Sequence, residues 1–142
     1  MTAMICIRTL AAFAAVMFAL PSAAETPPPV VASVGVPFVL RIGGEAIIGG
    51  VEVRVRFDRV TGDSRCPVDV MCVWAGVFSM ALVVVDGAAP VETEVILDTL
   101  DGEADAAGLS FTLLGVKPPR YASAAPERPM AYAVLIRADP AQ

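Results

Sequence analysis

In the stretch VEVRVRFD, Val51, Val53, Val55 and Phe57 alternate with Glu52, Arg54, Arg56 and Asp58. Side chains of an extended strand point to opposite faces in turn, so this spacing puts four apolar groups on one face and four charges on the other. A helix would scatter the same four around its circumference and bury no stripe. A half-buried strand needs neighbours to pair its backbone and cover its apolar face. The chain offers several. Val36–Ile42 alternates with Val36, Phe38, Leu40 and Ile42 inward, and Val91–Leu97 turns Glu92 and Glu94 outward. Phe78–Val85 becomes apolar on both faces, as a central strand is. Leu109–Val116 and Met130–Arg137 complete the set.

Glycine pairs mark turns between these runs. Gly43-Gly44 and Gly49-Gly50 fall where tight hairpins are expected, since glycine accepts positive φ at little cost. Asp86–Pro90 reads as a short connection, whereas Asp98–Gly108 and Lys117–Pro129 read as longer exposed loops. After the leader described below, no helical stripe competes with the strands. The pattern predicts an all-β fold, a single antiparallel sandwich of the immunoglobulin-like kind or a small barrel, with about six to eight strands.

The N-terminus has the layout of a secretory signal peptide. Arg8 supplies the positive end, Leu10–Leu20 an apolar run of 11 residues, and Ser22 and Ala24 the small residues of a cleavage site. The run is too short to span a bilayer, which takes about 20 residues. Residues 1–24 are thus read as leader, 25–34 (with three consecutive prolines) as an extended tether, and 35–142 as the β domain. The expected mature chain has no transmembrane segment. It also has no lipid attachment point, because Cys6 precedes the apolar run. Periplasmic or secreted localisation follows.

Removing 24 residues from 142 leaves 118, one domain's worth. Losing Arg8 takes the charge from −5 to −6, and no Lys/Arg cluster remains, which argues against nucleic acid. There is no histidine. The commonest general base, the usual partner of a serine or cysteine nucleophile and the usual zinc ligand are therefore missing. Lys117, the only lysine, sits beside Pro118 and Pro119 in a surface loop and reads as a solvated charge. No catalytic residue and no cofactor is assigned.

One stretch stands apart: DSRCPVDVMCVWAG, Asp63 to Gly76. Export leaves Cys66 and Cys72 as the two cysteines of the mature chain, and an oxidising compartment favours their disulfide. Two readings of the loop are open. As a clip, it closes one end of the sheet with Trp74 covering the edge of the core. As a recognition loop, it presents a preorganised surface in which Asp63, Arg65, Asp69, Met71 and Trp74 are the candidate contacts. A redox reading is disfavoured by the spacing, since active dithiols usually have two residues between the cysteines. A weaker calcium candidate gathers Asp98, Asp101, Glu103 and Asp105 around Gly102, without the pattern of a helix–loop–helix site.

The loop resembles the signature Asp-Ser-Arg-Cys-Pro-x4-Cys-(Val/Ile)-Trp-Ala-Gly of small bacterial exported proteins and lipoproteins of uncharacterised function. Asp63, Ser64, Arg65, Cys66, Pro67, Cys72, Val73, Trp74, Ala75 and Gly76 all match it. A weaker likeness extends to VEVRVRFDRV and to the late VKPP. The resemblance implies envelope export and an all-β fold, and implies no activity or substrate. The expected function is a non-catalytic binding or structural module of the cell envelope, whose partner would be an envelope protein. The alternative is a protease inhibitor presenting the Cys66–Cys72 loop.

Overall fold

The computed structural model describes residues 27–123 and 131–142. The leader read over residues 1–24 lies outside the described residues, as does Met130 of the last expected strand. Among the described residues there are nine strands: β1 Val30–Ser33, β2 Phe38–Arg41, β3 Glu45–Gly49, β4 Val53–Asp63, β5 Phe78–Asp86, β6 Glu92–Asp98, β7 Glu103–Ala106, β8 Leu109–Lys117 and β9 Ala133–Pro140. They form a five-stranded sheet I, ordered β1-β3-β4-β5-β6, and a four-stranded sheet II, ordered β2-β9-β8-β7. The two sheets make a sandwich and do not close into a barrel. None of the described residues forms a helix long and apolar enough to cross a membrane.

The alternation in the sequence decides which side faces in. Val53, Val55 and Phe57 of β4 enter the core while Arg54 stays out, and Phe38 and Leu40 of β2 do the same opposite Ile136 and Val134 of β9. Val51 falls outside the strand and is exposed. On the central strand β5, Phe78, Met80, Leu82 and Val84 face the core, and Ala81 and Val83 are buried on the outer face as well. Long side chains cover that outer face: Arg59, opposite Ala81, reaches across β5 to Glu94 on β6 with two hydrogen bonds of 2.8 Å. β4 also carries two register shifts, at Phe57/Arg59 and Val60/Gly62. Such bulges bend a strand and re-aim its side chains. They let β4 run on to Asp63, where the cysteine loop begins.

Several expectations need correction. The strand count exceeds six to eight because β1, β3 and β7 are short. β1 lies inside the stretch read as tether, and it is parallel to β3, so the sandwich is not wholly antiparallel. Val30–Ser33 is rich in β-branched residues and buries Ala32, which draws it onto the sheet edge. Gly43-Gly44 does not make a hairpin. β2 pairs with β9 and β3 with β4, so the chain crosses between sheets at the glycines, tied there by Gly43 N–H to Phe57 O (2.7 Å) and Phe57 N–H to Gly44 O (3.1 Å). Gly49-Gly50 does connect the paired strands β3 and β4, with Gly50 at positive φ.

Candidate functional site

The cysteine loop extends the β4–β5 hairpin past the end of the sheet. Ser64 N–H donates to Val77 O (2.8 Å), Val77 N–H to Ser64 Oγ (3.0 Å), and Cys66 N–H to Ala75 O (2.7 Å). The two sides approach closely at Gly76, whose φ is 73°. A Cβ there would lie 1.9 Å from Ser64 O, so this position requires glycine. Beyond the ladder the Cys66–Cys72 disulfide closes the ring, with a Cα–Cα distance of 6.0 Å. Val70 N–H donates to Pro67 O (3.4 Å) and turns the chain inside it.

The base of the loop is a polar and aromatic stack. The Asp63 carboxylate accepts from Arg65 Nε (2.8 Å), Arg65 Nη2 (2.8 Å), Arg65 N–H (3.3 Å) and the Tyr132 hydroxyl (3.0 Å). The Arg65 guanidinium lies over the Phe78 ring, 5.4 Å from its centroid, and the Phe78 and Tyr132 rings are 5.7 Å apart. Burial pushes the Asp63 carboxyl up, but the hydrogen bonds from Arg65 and Tyr132 and the charge of Arg65 outweigh it and hold the group below the usual carboxylate range. Arg65 is held above its ordinary value, chiefly by its hydrogen bonds to Asp63.

A second clamp comes from the segment after β8. Arg65 Nη1 donates to Pro118 O (3.1 Å). Arg120 Nη1 donates to the carbonyls of Asp63 and Arg65 (3.2 Å each). In return Val68 N–H donates to Arg120 O (2.8 Å), and Ala122 N–H to Asp69 Oδ1 (2.8 Å). The two loops that the sequence presents separately are thus one unit at one end of the sandwich.

This geometry divides the five candidate residues. Asp63 and Arg65 direct their polar groups inward and hold the loop, so the expected outward polar contact of Arg65 is corrected to an anchoring role, while Asp69 accepts from Ala122 N–H and stays exposed. Met71 and Trp74 are displayed: Met71 and its neighbour Val73 are fully exposed and Trp74 is 63 % exposed. Trp74 does not cover the core edge as the clip reading expects, whereas the disulfide closure that the same reading expects is present. The side chains that pack at the loop base are Arg65, Phe78 and Tyr132, and Trp74 is left in solvent. Tyr132, Pro118 and Arg120 were not legible as site residues, since they lie more than 50 residues along the chain from their partners.

The calcium candidate does not assemble. Asp98 Oδ1 accepts from the N–H groups of Leu100 (2.7 Å) and Asp101 (2.9 Å), which closes a turn. Glu103 starts β7 and accepts from the Ser110 hydroxyl (2.6 Å), and Asp105 lies further along that strand. Among the described residues no three carboxylates or other ligand groups gather as a metal site. Glu103 and Asp105 instead line a shallow depression on the outer face of sheet II with Ser110, Thr112, Arg137 and Asp139. Arg137 and Asp139 are paired there at 2.6 Å.

Comparison of the chain with protein-family models, curated proteins and solved structures gives no match.

Proposed function

We propose that this chain is a non-catalytic exported β domain that acts as a binding module in the bacterial cell envelope, periplasmic or secreted, with the Asp63–Gly76 loop as its contact surface. One observation carries the reading: Met71, Val73 and Trp74 stand in solvent on a loop that a disulfide, an ion pair and five hydrogen bonds to the segment after β8 hold in one shape. Exposed apolar groups lower solubility, and rigid ones lose little freedom on binding. Tryptophan is also among the residues that most often dominate binding energy. The absence of histidine from the sequence supports the non-catalytic part. The leader-like N-terminus and the ten-residue match to the exported-protein signature support the envelope. The inhibitor reading is less well supported, because the chain turns at Pro67–Val70 where a protease-bound segment runs extended.

The test is capture from an envelope fraction with the native chain, Trp74→Ala and Cys66→Ser/Cys72→Ser, each first shown by circular dichroism to be folded. Loss of a bound component in both variants is expected. Equal capture by all three refutes the assignment of the contact surface.

A further inference from the structure

The loop end carries a second feature, a row of cations on sheet II. Arg41 of β2 and Lys117 of β8 both pair with Ala133 of β9, which places them in one row across sheet II at the loop end. Arg120, three residues after Lys117, is bound to the loop carbonyls through Nη1. Among the described residues no carboxylate comes within ion-pair distance of any of the three. Of the carboxylates nearer the loop, Asp63 is paired with Arg65, Asp69 accepts from Ala122 N–H, and Asp98 accepts from Leu100 and Asp101 N–H. The next row inward on the same face is apolar, with Val39, Leu135 and Gly115 lining a depression of about 410 Å³.

We infer that this end of the domain docks on a phospholipid bilayer that contains anionic lipid. The tip of Met71, Val73 and Trp74 enters the headgroup boundary, and Arg41, Lys117 and Arg120 meet the phosphates. The inference rests on the loop being the contact surface and names its partner. Three observations favour a bilayer over a folded partner. The exposed tip residues stand clear of the rest of the chain, which suits entry into a soft medium. Arg65 directs its polar groups into the chain and the Asp69 carboxylate is engaged by Ala122 N–H, so Met71, Val73 and Trp74 offer apolar surface in place of directional contacts. The cations lie at the same end of the sandwich as the loop, and membrane-surface anchors combine apolar insertion with charge in this way. The net charge of −5 does not oppose this. On sheet II, Glu103, Asp105 and Asp139 lie toward the far end. Ser110, which pairs with Asp105 and Asp139, is seven residues along β8 from Lys117, about 23 Å, and Thr112, which pairs with Glu103, is five residues away, about 17 Å, at ~3.3 Å per residue. Both are more than two screening lengths at about 8 Å each.

Trp74 is the only tryptophan in the chain, so its fluorescence reports on the loop alone even if residues 1–24 also bind lipid. The full chain is titrated with vesicles of phosphatidylcholine, and of phosphatidylcholine with phosphatidylglycerol, with and without bromine on the acyl chains. On the anionic vesicles Trp74 emission is expected to move to shorter wavelength and to be quenched by bromine. Arg41→Gln/Lys117→Gln is expected to lower partitioning about fivefold per charge, about 30-fold in all, with an unchanged melting temperature. The inference is overturned if Trp74 does not respond while the chain sediments with the vesicles. An equal response to neutral and anionic vesicles also overturns it, as does a shift that appears with rising protein concentration without lipid, which marks self-association. If Trp74 ignores lipid but Trp74→Ala still loses an envelope component, the lipid inference fails and the loop assignment stands. If both experiments fail, so do both readings.

Discussion

Replacing Asp63 by alanine removes the acceptor of four hydrogen bonds and leaves the Arg65 guanidinium over Phe78 without its counter-charge. The two side chains are 12 % and 17 % exposed, so water compensates only in part. A net hydrogen bond to a charged group is worth about 1.5–3 kcal/mol, and breaking a fully buried pair costs about 3–5 kcal/mol. With some exposure remaining and the bonds sharing one carboxylate, we expect a loss of about 2–4 kcal/mol. At about 4 °C per kcal/mol for a domain of this size, melting falls by about 10 °C. Far-ultraviolet circular dichroism is the assay, since the exposed Trp74 senses unfolding poorly. Arg65→Met completes a double-mutant cycle, with a coupling energy above about 1 kcal/mol expected. The pair also has a pH signature. Because the folded Asp63 pKa is depressed, its contribution is fully present above the ordinary carboxylate value of about 3.9 and is lost as pH falls through the lower folded value. The native chain should therefore lose stability below about pH 4 more steeply than Asp63→Asn. An Asp63→Ala variant within about 1 kcal/mol of native stability, with no coupling to Arg65, would refute the account of the stack.

Gly76→Ala places a Cβ against the Ser64 carbonyl at a positive φ, so we expect a loss above about 2 kcal/mol together with weaker protection of the Ser64 and Cys66 amides from hydrogen exchange. Cys66→Ser/Cys72→Ser removes the constraint on a loop of about seven residues. Chain entropy gives about 2.4 kcal/mol, read by denaturant titration, with the sandwich itself still folded. Glu94→Gln breaks the exposed pair with Arg59, and solvent screening predicts almost no change in melting at neutral pH. A large drop there would mean that the outer face of sheet I holds the fold in a way its exposure does not indicate.

The parts of the fold legible in the sequence are those where one strand carries its own signal. β4 and β5 were readable because alternation in the first and an apolar run in the second are long enough to exclude a helix. β1, β3 and β7 are four or five residues each, too short for periodicity to separate them from loops. The crossing at Gly43-Gly44 was read as a hairpin because a glycine pair reports local freedom and says nothing of which strands pair. The site divides along the same line. The disulfide followed from two nearby cysteines and export. The bonds from Tyr132 and Arg120 depend on how the sheets stack, which no local pattern encodes. The usual preference of tryptophan points Trp74 at the core edge, whereas at the loop base Arg65 lies over Phe78 and Trp74 is exposed.

The Tyr132 hydroxyl reaches Asp63 from 69 residues further along the chain, and Arg120 reaches it from 57. As the chain emerges from its N-terminus, the ring of Cys66 and Cys72 is complete well before either brace exists. Contacts this distant in sequence are slow to form. The bond from Tyr132 to the base of the loop therefore needs the chain up to β9, so a chain that stalls or is trimmed before Tyr132 carries the whole loop sequence but lacks that brace. In such a fragment the most conspicuous motif is present and the group that braces it from across the sandwich is not.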